Sequence, residues 1–252
     1  MISTRALLLR ATPYRDADLV VDLLSVEHGR LAALARGARK SRRRFGGVLD
    51  YFNLLEVELR LGRGGLGSLR GAELVSSWEA VRSDVDAYCV GSHFLDVARL
   101  GSREGESADP LFRLLLGGLD ALQRGGDPPS VARVFQVQAL AELGYAPVPQ
   151  LCPGCDTPLG ERAAAGRAVL TCPACAAAGA TVLSPGAVRS LQAAASLPPE
   201  RLGTLRISPE IAVDIVPFLD AALEHALGRR PKSLAALPGF GEIDRLASGL
   251  VP

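Results

Sequence analysis

Leu55-Glu56-Val57-Glu58-Leu59-Arg60-Leu61 alternates apolar and charged side chains with a period of two. Successive side chains of an extended strand point to opposite faces, so one face of this segment is wholly apolar and the other wholly charged. A strand wet on one side only needs neighbours that cover its dry side. Residues 6–9, 18–26, 30–35, 49–61 and 68–75 supply them: short runs rich in Leu and Val, each bounded by Gly, Pro, Asp or His-Gly turn signals. Five strands within about 75 residues match a small barrel, whose closure removes the sheet edges through which chains aggregate. The segment Gly62-Arg63-Gly64-Gly65-Leu66-Gly67 satisfies G-x-G-x-x-G and comes after a strand. A dinucleotide site needs a helix to begin there, because the helix N-terminus holds the pyrophosphate. Ser68-Leu69-Arg70-Gly71-Ala72-Glu73-Leu74 is strand-like instead, so a glycine-rich hairpin between two barrel strands is expected.

From residue 83 the period changes to three and four. Val85, Tyr88, Cys89, Phe94, Leu95 and Ala98 recur at helical steps, with an Asp/Ser start able to cap an N-terminus. Further helices are expected over 110–123, left through Gly125-Gly126, and from 129 or 130 to 143, stopped by Gly144. Ser184-Pro185 opens another to 195, and Pro209 a last one over 210–227, in which Pro217 is expected to kink or break the periodicity.

The chain has 252 residues, 48% hydrophobic and 22% charged, which excludes a disordered or collagen-like polymer. No apolar run approaches the roughly 18 residues of a membrane span, and the start Met-Ile-Ser-Thr-Arg interrupts its apolar stretch too early for a signal peptide. A soluble, non-exported protein is expected. Net charge is +1, yet residues 1–78 hold 13 Arg and Lys against 8 Asp and Glu, while 79–252 hold 15 against 19. That asymmetry points to separate surfaces for separate partners.

Four of the five cysteines form two Cys-x-x-Cys pairs, Cys152-Pro153-Gly154-Cys155 and Cys172-Pro173-Ala174-Cys175, with sixteen residues between them. A two-residue gap lets both thiolates of a knuckle reach one ion, and two knuckles complete a tetrahedral, closed structural zinc site. Spacing alone leaves an iron site with four thiolates open. Four protein ligands fill the coordination sphere, so the metal would staple a loop rather than activate water. A knuckle often needs a left-handed residue after its second cysteine. Asp156 tolerates that geometry and Ala176 does so poorly. Cys89, on an apolar helical stretch, is expected as a buried small hydrophobe.

Arg36-Gly37-Ala38-Arg39-Lys40-Ser41-Arg42-Arg43-Arg44 places six cations in nine positions, and no acid stands between Glu27 and Asp50. Unpaired, these groups repel one another, and a polyanion would relieve that repulsion. The run lies between two expected strands, so it projects from the barrel as a loop. Tyr14, Phe45, Tyr51 and Phe52 lie near it in sequence and offer either core packing or flat faces for base stacking. Local signatures of catalysis are lacking: no H-E-x-x-H pair, no G-x-S-x-G elbow, and three scattered histidines, His28, His93 and His225. A non-enzymatic binder is expected. The residues alone leave open a zinc-ribbon regulator that reads nucleic-acid sequence, and a nuclease with a dispersed site.

Three separated stretches, Leu8-Leu9-Arg10-Ala11-Thr12-Pro13-Tyr14-Arg15-Asp16-Ala17-Asp18, then Gly29-Arg30-Leu31 through Ala35-Arg36-Gly37-Ala38-Arg39-Lys40-Ser41, then Leu69-Arg70-Gly71-Ala72-Glu73-Leu74, resemble the N-terminal barrel of the RecO family of bacterial DNA repair and recombination mediators. Leu143-Gly144-Tyr145-Ala146-Pro147 and His225-Ala226-Leu227-Gly228-Arg229-Arg230-Pro231-Lys232-Ser233 resemble later landmarks of that family, in the same order. The resemblance implies a multidomain α+β chain: a five-stranded OB-fold (oligonucleotide/oligosaccharide-binding) barrel over 1–78, then an all-α domain over 79–252 containing a four-Cys zinc-finger-like insertion over 148–183. It implies binding to single- and double-stranded DNA, strand annealing, and work with RecR to load RecA onto DNA coated by single-strand-binding protein (SSB). DNA contacts then fall to Arg36, Arg39 and Lys40, extended by Arg42, Arg43 and Arg44. The metal falls to Cys152, Cys155, Cys172 and Cys175. The SSB tail, acidic and ending in apolar residues, would want an apolar groove with a basic rim, for which Arg229, Arg230 and Lys232 are candidates. The implied location is the cytoplasm, at the nucleoid.

Overall fold

A computed structural model describes residues 1–41, 44–62 and 65–239. Strands β1 (Ile2–Tyr14), β2 (Asp18–Ser25), β3 (Gly29–Ala35), β4 (Asn53–Arg60) and β5 (Leu66–Ser77) close into a barrel in the order β1-β2-β3-β5-β4. All pairings are antiparallel except β3 with β5, and β4 returns to β1 with Ile2 opposite Leu59. This is the five-stranded OB arrangement expected from the strand count. The period-two alternation of β4 sets its register: Leu55, Val57 and Leu59 fill the barrel with Leu8, Val21, Leu23 and Leu69.

Strand β1 reads Leu7-Leu8-Leu9 without alternation because both its faces are dry. Leu8 points into the barrel, whereas Leu7 and Leu9 join Phe52, Leu54 and Trp78 in the core shared with the helices. Strand β4 begins at Asn53 rather than near 49, since Phe52 takes a left-handed φ of 61° that ends the preceding turn. At the β2–β3 turn, Gly29 has φ +60°, and a Cβ there would lie 2.1 Å from the Glu106 carbonyl oxygen. Only glycine lets this hairpin pack onto the 103–106 loop, where the Arg30 N–H donates to the Arg103 carbonyl (3.0 Å).

The rest of the chain forms helices α1 (Glu79–Ser83), α2 (Val85–Gly101), α3 (Asp109–Gln123), α4 (Pro128–Glu142), α5 (Pro185–Ser196) and α6 (Pro209–Leu227). One-turn α1 has too few residues to show a period, so nothing in the sequence marks it. Asp84, Asp127 and Ser184 cap α2, α4 and α5 by accepting backbone N–H bonds, as their residue types favour. Helix α6 is not broken at Pro217, one of the two outcomes expected there. Pro217 is on the exposed side, where water can satisfy the carbonyl it leaves unpaired. The neighbouring Ile215, Val216, Phe218 and Leu219 are buried and hold the helix in place. Cys89 is half-buried rather than fully enclosed.

Helix α4 is buried from Ser130 to Leu140, so its polar groups must find partners inside. The Arg133 guanidinium donates to Gln136 Oε1 (3.0 Å), and the Gln136 amide donates to His93 Nε2 (3.2 Å). His93 Nδ1 therefore carries the proton and donates to Ser233 Oγ (2.9 Å), which donates to Asp96 Oδ2 (3.1 Å). Arg133 also lies 3.5 Å from Asp220 of α6. This chain of contacts ties α2, α4 and α6 to the segment after α6.

Burial and the Arg133 charge hold the imidazole neutral, its pKa pushed down to about 3, with Asp96 opposing weakly. A folded value below the unfolded one, near 6.5, gives stability that is complete above that pH and lost as pH falls toward 3. Asp220, raised by its own burial, works in the opposite direction. We expect about 2–3 kcal/mol from His93 to be lost on going from pH 7 to 4.5, read as a falling urea midpoint. His93→Asn should flatten the curve in that window. An equally steep curve in the variant would remove His93 as its source.

Candidate functional site

Two features carry chemistry: the cysteine knuckles, at the edge of the helical core, and the basic loop. Strands β6 (Ala164–Ala165), β7 (Leu170–Thr171) and β8 (Thr181–Val182) form a small sheet in the order β7-β6-β8 between α4 and α5. It is pinned to the helical core by buried Leu159, Ala163, Leu170 and Leu183. On this support the Sγ atoms of Cys152, Cys155, Cys172 and Cys175 all lie within 4.8 Å of one another, and Cys155 and Cys172 are 3.6 Å apart. A tetrahedral ion with metal–sulfur bonds of about 2.3 Å sets its sulfurs roughly 3.8 Å apart. The donor set fits a four-thiolate metal.

The chain turns as such a site requires. Asp156 takes the left-handed φ of 55°, and its N–H donates to the Cys152 carbonyl (2.8 Å). The second knuckle needs no such residue. Pro173–Cys175 form a 3-10 turn, and Ala176 leaves it in extended geometry (φ −63°, ψ 137°). The expected difficulty at Ala176 therefore does not arise. The Cys172 N–H donates to Cys152 Sγ (3.3 Å), and this bond with one from the Gly154 backbone pulls the Cys152 thiol down to about 6. Cys175, facing the other sulfurs, is pushed up to about 12. Crowded thiols resist losing their last protons, and a divalent cation at their centre removes that resistance. A Cβ on Gly154 would sit 3.1 Å from Cys175 Sγ, tighter than ordinary contact. Gly154→Ala should weaken metal retention about tenfold, the scale of losing a residue that orients ligands, as read by chelator competition. Unaltered competition would show that the sulfur has room to move.

The basic loop hangs from the barrel end formed by the β1–β2 turn and the end of β3. The Gly37 N–H donates to Asp18 Oδ1 (2.7 Å), and the Arg39 N–H donates to the Ala17 carbonyl (3.0 Å). The Arg44 carbonyl accepts from the Ala72 N–H of β5 (3.1 Å), and buried Phe45 plugs the barrel beneath. The backbone is thus anchored while the side chains of Arg36, Arg39, Lys40 and Arg44 are exposed. Among the described residues, none of the four forms an ion pair with a carboxylate. Two guanidinium groups donate to carbonyls, Arg39 Nη1 to Asp16 (3.3 Å) and Arg44 Nη2 to Arg36 (2.8 Å), and Arg44 also lies 5.4 Å from the Phe45 ring centroid. Arg42 and Arg43 lie outside the described residues, as do Arg63 and Gly64 of the β4–β5 hairpin.

The aromatic residues divide. Phe45 and Phe52 are 1% and 0% exposed, so both serve packing, and the stacking role open to them in the sequence is excluded. Tyr14 is 44% exposed, with the Arg15 guanidinium 5.3 Å from its ring centroid. Tyr51 is half-buried and lines a cleft of about 540 Å³ between barrel and helices. The same cleft gathers Arg10, Arg99, Arg229, Arg230 and Lys232. Nothing in the sequence singles out Arg10 and Arg99, because each stands alone there, and only the docking of β1 against α2 brings them together.

A closed OB-type barrel with an open, acid-free cationic loop, joined to a helix bundle bearing a four-thiol cluster, defines a class of two-part barrel-and-bundle proteins. Family comparison agrees part by part. Residues 1–78 match Recombination protein O N terminal, and residues 82–235 match Recombination protein O C terminal. The DNA repair protein RecO of Geobacter sulfurreducens is 38% identical over 240 residues, covering 94% of this chain and 97% of the relative. That of Anaeromyxobacter sp. strain K is 36% identical over 252 residues, covering 97% and 98%. That of Myxococcus xanthus is 35% identical over 248 residues, covering 94% and 96%. The chain belongs to the RecO family of DNA repair proteins. No described helix is long and apolar enough to cross a membrane.

Proposed function

We propose that this chain is a non-enzymatic mediator of DNA repair and homologous recombination. It binds single- and double-stranded DNA through the barrel unit, residues 1–78, and anneals complementary strands. It also assists RecR in loading RecA onto DNA coated by SSB, in the cytoplasm at the nucleoid. The observation that carries this reading is the exposed group Arg36, Arg39, Lys40 and Arg44, which form no ion pair with an acid among the described residues and are set on a barrel of the oligonucleotide-binding type. Arg42 and Arg43 extend it in sequence.

Cationic side chains that meet phosphates release counterions and read no bases, so binding has little sequence preference. Annealing then requires no bond chemistry. Two polyanions held on one basic surface repel each other less, and base pairing supplies the free energy. The metal at Cys152, Cys155, Cys172 and Cys175 is zinc in this reading, and it holds the insertion 148–183 in shape. The acidic remainder of the chain suits protein partners better than DNA.

For an SSB tail that is acidic and ends in apolar residues, the better match is the groove where α4 and α6 begin. Pro129, Ile207, Pro209 and Ala212 give it apolar walls; its two cations already have acid partners, Arg206 with Asp127 at 3.2 Å and buried Arg133 with Asp220 at 3.5 Å, so it is the apolar end of the tail that the groove fits. Arg229, Arg230 and Lys232 rim a far more cationic cleft elsewhere.

The test is annealing of complementary strands precoated with SSB, titrated with salt, with and without this protein. Acceleration that fades as salt rises is expected. Equal annealing rates with and without the protein at every salt concentration would remove the mediator reading.

A further inference from the structure

The cleft between the barrel and α2 lies apart from the basic loop. Its walls come from three distant parts of the chain: Leu9 and Arg10 on β1 with Tyr51 before β4, Leu95 and Arg99 on α2, and Arg229, Arg230 and Lys232 after α6. At about 540 Å³ it lies in the size range of sites that enclose a small organic molecule, so one or two nucleotides fit. Among the described residues its one lining carboxylate, Asp96, is already occupied: Oδ1 accepts from Arg99 (2.7 Å) and Oδ2 from Ser233 (3.1 Å). Arg230 is held against Asp220 (3.7 Å) and Glu224 (3.8 Å) and serves as a wall. Arg10, Arg229 and Lys232 are exposed, and none forms an ion pair with a carboxylate among the described residues.

Arg10 also stands on the strand that leads to the loop. Beyond the register shift between Leu8 and Arg10, β1 pairs regularly with β2 as far as Tyr14 opposite Asp18. Arg10, Thr12 and Tyr14 therefore share one face of the strand. Tyr14 stands four residues along, about 13 Å at the rise of a strand. There Arg15 lies against its ring, and Asp18 is occupied by the Gly37 N–H of the loop. The one acid beside Arg10 across the ladder is Asp22, which makes no ion pair with it.

We propose that the barrel–helix cleft is a second binding site for the sugar-phosphate backbone of single-stranded nucleic acid. A strand gripped by the basic loop continues along Arg10, Thr12 and Tyr14 into the cleft. There Arg10, Arg229 and Lys232 contact phosphates, and Tyr51 offers a ring edge or face to a base. The proposal rests on the reading of the loop as a DNA contact and adds to it the length and direction of the path.

The experiment compares the full-length protein with Arg229→Ala/Lys232→Ala, using fluorescently labelled oligothymidylates of increasing length at several salt concentrations. Losing two single-strand phosphate contacts should reduce the log–log salt slope by about 1.4. It should also shorten the occluded length by two or three nucleotides, while the shortest oligomers that bind keep their affinity. Arg229→Lys/Lys232→Arg should retain the wild-type slope. An unchanged slope and occluded length in the alanine variant would overturn the cleft while leaving the loop reading intact. Wild-type protein that binds no oligonucleotide at low salt would sink the loop reading itself. An acidic peptide with an apolar C-terminus that binds the wild type but not the alanine variant, and displaces no oligonucleotide, would give the cleft to a protein partner and overturn the nucleic-acid assignment.

Discussion

Replacing Arg39, Lys40, Arg42 and Arg43 together by alanine is expected to weaken single-stranded DNA binding about 10²- to 10³-fold at 0.1 M salt. If four to six phosphates are engaged, the wild-type log–log salt slope is roughly −3 to −4, at about 0.7 per contact on a single strand. Removing four cations should take about 2–3 out of that slope. Affinity and slope must fall together, because both measure the same released counterions. The fold should survive. The loop backbone is held by the Asp18 carboxylate, by the Ala72 N–H and by buried Ala38 and Phe45, none of which the substitutions touch. Anisotropy titrations at several salt concentrations, with circular dichroism as the folding check, decide the matter. Unchanged affinity in a folded variant would falsify the assignment of the loop.

The basic loop is legible in the sequence because charge repulsion is a local property: six cations in nine positions, with no nearby acid, read the same in a string as in space. The barrel is legible for a related reason, since period-two alternation over 55–61 fixes which face of β4 is dry whatever covers it. The four-thiol cluster comes from spacing, which limits where two knuckles can point. Contacts assembled from distant elements are not readable. Nothing local marks His93, on an ordinary amphipathic helix, as the middle of a chain running from Asp96 through Ser233 to Gln136 and Arg133. Phe45 and Phe52 show the same limit. An aromatic beside a basic loop has one appearance in sequence whether it faces a base or a core, and burial alone assigns Phe45 to the barrel interior and Phe52 to the core shared with the helices. At Pro217 the packing of its buried neighbours carries the helix past a residue that removes one backbone bond.

Cys172→Ser should destabilise the helical part of the molecule while leaving the barrel alone. Losing one of four thiolates leaves an incomplete sphere, and the protein should release about one equivalent of zinc under a chelator that the wild type resists. In isolated fingers the metal supplies nearly all of the folding energy. Here Leu159, Ala163, Leu170 and Leu183 also tie the insertion to the helical core, so a loss of about 2–4 kcal/mol and a fall of roughly 5–10 °C in thermal midpoint are expected. Binding the ion displaces thiol protons, so retention should weaken as pH falls. Cys89→Ser, on α2 and outside the cluster, should release nothing. Among the described residues no hydrogen bond joins 148–183 to the barrel, so DNA affinity should change by less than about twofold. A large loss of DNA binding in Cys172→Ser would mean that the metal shapes the nucleic-acid surface and is more than a staple. Metal analysis of freshly purified wild-type protein that finds neither zinc nor iron would end the metal reading altogether, and the proximity of the four sulfurs would then need a different cause.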